Sequence, residues 1–324
     1  MLKKLLCACL CLCLLLSMLS GCSGSPTATT PQTTSETETE TKPTETPEEA
    51  NALRIMIIGS SRSVNTFQLL YPVFKDQMPD KEITLGVMYY TGGSMIKHAN
   101  FIRNNEAAIT YYRNTNGYWE LIYNSYMQDG LKDQNWDVVL LQAGTGDQAG
   151  NMNLEDRKFI TSCVDSWVSH PHSYWWHTTW FNASDPSLYE KPNDVISEAE
   201  QYGQLKSQIN AAKQYVMDDP MFEGRICSGT PLMYALKVLG VPEDQLFRDH
   251  THLSDYGSLL IGYCWYVQFT GQPVTEINLD KIPQLQRNLK QQHLGDLEIT
   301  EEMKQVILKT AQYTYENPWT IPVK

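Results

Sequence analysis

Short apolar runs punctuate the middle of the chain: Ile55 to Ile58, Ile83 to Tyr89, Trp136 to Gln142, Ser173 to Thr178 and Gly224 to Cys227. Several of them lack polar alternation, as strands buried on both faces of a sheet do. Between the runs, apolar residues recur at helical spacing over Phe67 to Gln77, Ile96 to Arg103, Leu154 to Val168 and Ile196 to Met217. Two further helical patterns follow, Tyr256 to Thr270 and Glu301 to Tyr315. No internal repeat interrupts the series.

Strands alternating with helices imply right-handed βαβ crossovers and a parallel sheet covered on both faces. The expected fold is therefore α/β: a three-layer α/β/α sandwich around a mostly parallel, flavodoxin-like five-stranded sheet. In such a sheet ligands gather at the carboxyl ends of the strands. Gly59-Ser60-Ser61, Gly92-Gly93-Ser94 and Gln142-Ala143-Gly144-Thr145-Gly146-Asp147 all follow strands on that edge.

The ends of the chain read differently. Met1-Leu2-Lys3-Lys4 precedes an apolar stretch from Leu5 to Leu19, a basic start and short apolar run that describe an export signal rather than a membrane span. Leu19-Ser20-Gly21-Cys22 resembles a bacterial lipobox, which implies cleavage before Cys22 and lipid on its sulfur. Residues 22–50 are mostly Thr, Ser, Pro and Glu with no Leu, Ile, Val or Met, so they are expected to form an extended tether. Three parts are thus expected: a signal over 1–21, a lipidated tether over 22–50, and one folded domain over 51–324. The resulting location is the extracytoplasmic side of the bacterial membrane, with Cys22 as the membrane contact.

Charge narrows the partners. Of the net −12, the signal contributes +2 and the tether −5, which leaves −9 on the folded part. With no Lys/Arg cluster, that balance argues against nucleic acid. Outside the signal and Cys22 only Cys163, Cys227 and Cys264 remain, without the spacing of a disulfide framework or zinc motif. His170, His172, His177 and Asp185 fit no helix-face spacing, and no metal or other cofactor is expected.

Two distant segments carry the candidate chemistry. Ser61 stands in a tight turn after the first strand, and Asp249-His250-Thr251-His252 stands before a helix. Alone, a Gly-Ser-Ser turn is ordinary turn chemistry, Asp-x-x-His is a loop or cap, and His250 is an alternative base. Their order at the two ends of a βα series gives them weight together.

These blocks resemble the SGNH/GDSL hydrolase superfamily, most nearly a branch of secreted bacterial proteins labelled as a domain of unknown function. The likeness covers roughly residues 53–270. It rests on Ser61 in its turn, Leu141-Gln142-Ala143-Gly144-Thr145, and Asp249, His252, Leu253 and Gly257. Gly92-Gly93-Ser94 with His98, and Cys227-Ser228-Gly229-Thr230, match further blocks of that branch. The resemblance implies Ser61 as nucleophile, His252 as general base and Asp249 as the group orienting it. It also implies an oxyanion hole from the backbone N–H of Ser61 with that of Gly93 or Gly92.

Two positions depart from that pattern: Ser60 precedes the nucleophile and Gly146 stands where an amide side chain is expected. Gln142, with two amide hydrogens, is the candidate replacement. Arg62 and His98 are candidate substrate contacts, and Trp180 and Phe181 a candidate stacking surface for a sugar ring or flat acyl group. The reading is a lipid-anchored serine esterase or deacetylase acting on small-molecule esters or acylated carbohydrate. A catalytically impaired carbohydrate-binding lipoprotein is the alternative, and an acyltransferase would use the same acyl-enzyme.

Overall fold

A computed structural model describes residues 51–115, 117–143, 154–278 and 299–322. The signal, the tether with Cys22, and the stretch containing Gly144, Thr145, Gly146 and Asp147 lie outside the described residues.

Seven strands form one sheet: β1 (Ala52–Gly59), β2 (Glu82–Tyr89), β3 (Ile109–Thr115), β4 (Tyr118–Ser125), β5 (Val138–Gln142), β6 (Ser173–Thr178) and β7 (Phe222–Cys227). Their order is β4-β3-β2-β1-β5-β6-β7. The strands β2, β1, β5, β6 and β7 pair in parallel. These are the five apolar runs, in the order of a flavodoxin-type doubly wound sheet.

The expected strand count needs a correction. β3 pairs antiparallel with β2, and β4 with β3, so a hairpin extends the sheet to seven strands. Its strands, ITYYRNT and YWELIYNS, mix aromatic and β-branched residues with charge; β4, at the sheet edge, is largely exposed, while β3 lies between β4 and β2. Neither reads as an unbroken apolar run. Gly117, at φ +84°, supplies the left-handed turn between them, and its N–H donates to Asn114 Oδ1 at 3.0 Å.

The described helices are α1 (Ser61–Phe67), α2 (Leu70–Gln77), α3 (Met95–Arg103), α4 (Met127–Lys132), α5 (Leu154–Trp167), α6 (Glu198–Tyr215), α7 (Gly229–Lys237), α8 (Glu243–Leu246), α9 (Asp255–Thr270) and α10 (Glu301–Glu316). The pattern read as one helix over Phe67 to Gln77 is two. Pro72 has no N–H to donate to the Gln68 carbonyl, so the chain breaks and restarts as α2. α9 is buried from Tyr256 to Val267 and carries apolar residues around its whole circumference, as a core helix does.

Alternation along β1 builds two cores. Ile55 and Ile57 face a layer that includes α1, α2, α7 and α9, and Met56 and Ile58 face one that includes α3, α4 and α5. All four side chains are fully buried, which explains the unbroken apolar run. Cys227 and Cys264 are buried core residues, Cys163 is partly buried, and none of the three is in a disulfide.

Candidate active site

The β1 strand ends at Gly59, where the chain turns at once into α1. A Cβ on Gly59 would strike the Ser63 hydroxyl and come within 2.9 Å of Gln142 Oε1, so only glycine allows the turn. Ser60 is the extended N-cap and its Oγ accepts from the Arg62 N–H at 3.4 Å. Ser61 is thereby set at the carboxyl edge of the sheet, as the first residue of α1.

The loop bearing Asp249 and His252 is shaped independently. Phe247 and Leu253 form an antiparallel bridge, and the Arg248 N–H donates to the His252 carbonyl at 3.0 Å. Asp249 Oδ1 accepts the N–H groups of Thr251 and His252, both at 2.8 Å. A Cβ on Gly257 would strike the Leu246 carbonyl, which explains the glycine after the Asp-x-x-His-Leu block. Ser254 caps α9, accepting from the Gly257 N–H at 3.0 Å.

The two pieces meet. Ser61 Oγ lies 2.9 Å from His252 Nε2, and His252 Nδ1 lies 2.9 and 3.0 Å from the Asp249 carboxylate oxygens. With Nδ1–H donated to Asp249, Nε2 is left to accept the Ser61 hydroxyl hydrogen. Burial opposes ionisation of Asp249, but hydrogen bonds from the His252 ring and from the Thr251 and His252 N–H groups outweigh it. Its carboxyl is held well below the usual carboxylate range. His250, the alternative base, is elsewhere: its ring stacks on Tyr189 at 4.6 Å.

The glycine block packs under the Gly59–Ser61 turn. Gly92 takes φ +58°, and a Cβ on Gly93 would sit 2.6 Å from the Gly59 carbonyl oxygen. The Gly93 N–H donates to the Tyr90 carbonyl at 2.9 Å. That spends it within its own turn and removes it from the candidate oxyanion donors. Among the described residues, the N–H groups of Ser61 and Gly92 have no acceptor.

Five further candidates, Gln142, His98, Arg62, Trp180 and Phe181, have other positions than expected. Gln142 is 1 % exposed, and its amide is consumed by the turn. Nε2 donates to Ser60 Oγ at 2.8 Å and to the Ala143 carbonyl at 3.1 Å, while Oε1 accepts the Ser60 N–H and the Ser63 hydroxyl. It braces the turn carrying Ser61 and offers no hydrogen to an oxyanion.

His98 is fully buried and donates from Nε2 to the Gly59 carbonyl at 3.0 Å, out of a substrate's reach. Burial lowers its pKa to about 4 against the opposing Gly59 bond, with Lys97 adding to the lowering, so it is neutral at pH 7.

Arg62 is 4 % exposed and turns inward. Nη1 donates to Thr179 Oγ1 at 3.2 Å and to the Trp180 carbonyl, and Nη2 donates to Asn182 Oδ1 at 2.7 Å. Trp180 and Phe181 are both fully buried and form no stacking surface. Trp180 instead donates its indole N–H to the Thr251 carbonyl at 2.9 Å. Packing claims these aromatics because the chain after β6 folds inward beneath the loop bearing Asp249 and His252.

The histidines outside the site are engaged separately. His170 Nε2 pairs with Asp137 at 3.0 Å, His172 Nε2 with the Tyr174 hydroxyl at 3.1 Å, and His177 Nε2 with Ser228 Oγ at 2.9 Å. Among the described residues no group of His, Cys, Asp and Glu is arranged to hold a metal ion. Ser63, Asn182 and Thr251 support the site without any signal in sequence spacing, since each is a lone polar residue whose partner is distant.

No curated protein matches the chain. The solved structure of a DUF4886 family protein from Bacteroides uniformis superposes with a TM-score of 0.66 at 17 % identity, covering 84 % of this chain and 97 % of that one. An acetylxylan esterase from Geobacillus stearothermophilus superposes with a TM-score of 0.40 at 10 % identity, covering 68 % of this chain and 94 % of its own. The family model described as a domain of unknown function (DUF4886) matches residues 54–293, and the chain belongs to that family.

Proposed function

We propose that this protein is a serine hydrolase of SGNH type that removes small acyl groups from esters. The observation that carries the proposal is the line from Ser61 Oγ through His252 to Asp249, with each contact at 2.9–3.0 Å. In this reading His252 Nε2 takes the Ser61 proton as Oγ attacks the ester carbonyl. Asp249, kept ionised, stabilises the imidazolium. The N–H groups of Ser61 and Gly92 receive the oxyanion. His252 then protonates the leaving alcohol, and a water deprotonated by the same ring hydrolyses the acyl-enzyme.

An acylated carbohydrate is the proposed alcohol side, and lipid anchoring through Cys22 outside the cell membrane the proposed location. The superfamily resemblance and the lipobox-like Leu19-Ser20-Gly21-Cys22 support them. The buried Trp180 and Phe181 lend no support to a sugar platform.

One observation favours a second reading, a binding lipoprotein with impaired catalysis. The Gly93 N–H and both amide hydrogens of Gln142 are spent within the fold, which thins the oxyanion donors among the described residues. Turnover of short-chain nitrophenyl esters and acetylated oligosaccharides by wild type and Ser61→Ala separates the two. Hydrolysis lost in Ser61→Ala supports the enzyme; folded wild-type protein inert to all of them supports the binding module.

A further inference from the structure

The nucleophile and its base are 191 positions apart in sequence, yet must meet within a few tenths of an ångström. A buried cation next to the nucleophile bears on how. Arg62 reaches away from the catalytic edge and places its guanidinium on the chain after β6, donating to acceptors on Thr179, Trp180 and Asn182. Its guanidinium carbon also lies 5.5 Å from the centre of the Trp180 ring.

That same stretch holds the acid–base loop from the other side. The Trp180 indole N–H donates to the Thr251 carbonyl at 2.9 Å, and the Ala183 N–H donates to the His250 carbonyl at 2.8 Å. The Thr251 N–H in turn donates to Asp249 Oδ1 at 2.8 Å. The contacts close a ring: Ser61 to Arg62, Trp180, Thr251, Asp249, His252 and back to Ser61.

We propose that Arg62 is a positioning residue: through Trp180 and Asn182 it holds the loop bearing Asp249 and His252 in register with Ser61. The inference rests on reading those three residues as a hydrolytic triad.

The energetics favour positioning over simple core filling. Burying a guanidinium costs several kcal/mol, and apolar replacements of buried ions are often neutral or stabilising. A side chain that only filled this space would be apolar. The planar fork of arginine reaches three acceptors in fixed directions, which the single ammonium of lysine does not reproduce. Substrate binding is the competing role, but the terminal nitrogens already donate to protein oxygens, and Nε is buried.

The test compares Arg62→Met, Arg62→Lys, Trp180→Phe, Asn182→Ala and the Arg62→Met/Trp180→Phe double variant with wild type. Thermal unfolding establishes folding, and kcat and KM are measured on nitrophenyl acetate. The expected result is a fall in kcat of about 10- to 100-fold for the Arg62 and Trp180 single variants, with KM little changed, because a shift near 1 Å suffices for such a loss. Arg62→Lys is expected to fare no better than Arg62→Met.

The double variant is expected to lose no more than the worse single variant, because both cut one strut. Should Arg62→Met fail to fold, Trp180→Phe and Asn182→Ala cut the strut without removing the charge and carry the test. Folded variants with wild-type kcat, a loss confined to KM, or single losses that multiply in the double variant each overturn the inference. Wild-type protein that hydrolyses nothing overturns the triad reading itself, and the inference with it.

Discussion

The His98 ring donates to the Gly59 carbonyl at 3.0 Å, so a fully buried imidazole supports the residue from which the turn carrying Ser61 departs. The bond needs a hydrogen on Nε2. The surroundings deny His98 a second proton: burial, chiefly, lowers its pKa from 6.5 to about 4. Burial, aided by Arg62, lowers that of His177 to about 3.

Those two histidines set a pH dependence. Below pH 6.5 the unfolded chain binds protons that the folded chain refuses, so their contribution to stability is complete above about 6.5 and is lost as pH falls towards about 4 for His98 and about 3 for His177. The slope is expected to reach about 1.4 kcal/mol per pH unit for each histidine. Urea unfolding at pH 7 and pH 5 measures it, and His98→Asn should flatten it. Equal wild-type stability at the two pH values would contradict the assignment.

Gly93→Ala should damage both the fold and the site. Its Cβ would sit 2.6 Å from the Gly59 carbonyl oxygen and 2.7 Å from His98 Nε2, the two atoms that the His98 prop joins. A loss of about 1–3 kcal/mol is expected, together with reduced ester turnover. Gly203→Ala in α6 is the control: nothing lies within 4 Å of its Cβ, so it should be neutral or slightly stabilising. Thermal unfolding of the two variants side by side decides the matter.

Much of this arrangement was legible in the chain, for reasons that individual residues make plain. Ile55 to Ile58 read as a doubly buried strand because both faces of β1 are core. Asp249 and His252 stand in one four-residue loop and Ser61 in the turn after β1, and the hydrogen-bonded line Ser61–His252–Asp249 joins the two blocks that carry the family resemblance. The hairpin of β3 and β4 was not legible, since Tyr118, Ile122 and Tyr123 are exposed on an edge and break the buried pattern. Arg62, His98, Trp180 and Phe181 misled because residue type suggests contact with substrate, whereas side-chain direction is decided by distant packing partners such as Thr251 and Gly59.

Gln142 is likewise turned inward, its amide held by the turn it braces. Gln142→Ala leaves the Ser63 hydroxyl and the Ser60 N–H buried without their acceptor. A destabilisation of about 1–3 kcal/mol is expected, since each orphaned buried group loses its compensation for desolvation. Turnover should fall with kcat rather than KM, because the brace acts on the nucleophile turn. Denaturant midpoints and steady-state kinetics of the variant report both effects, and unchanged values would remove Gln142 from the support of Ser61.

In the proposed mechanism Ser61 is a nucleophile activated by His252. Reaction with a fluorophosphonate, read by intact mass and by the modified peptide, tests it most directly. One adduct per chain is expected, on Ser61, absent from folded Ser61→Ala and strongly slowed in His252→Ala. An unmodified, well-folded wild-type protein, or an adduct on another serine, would contradict it.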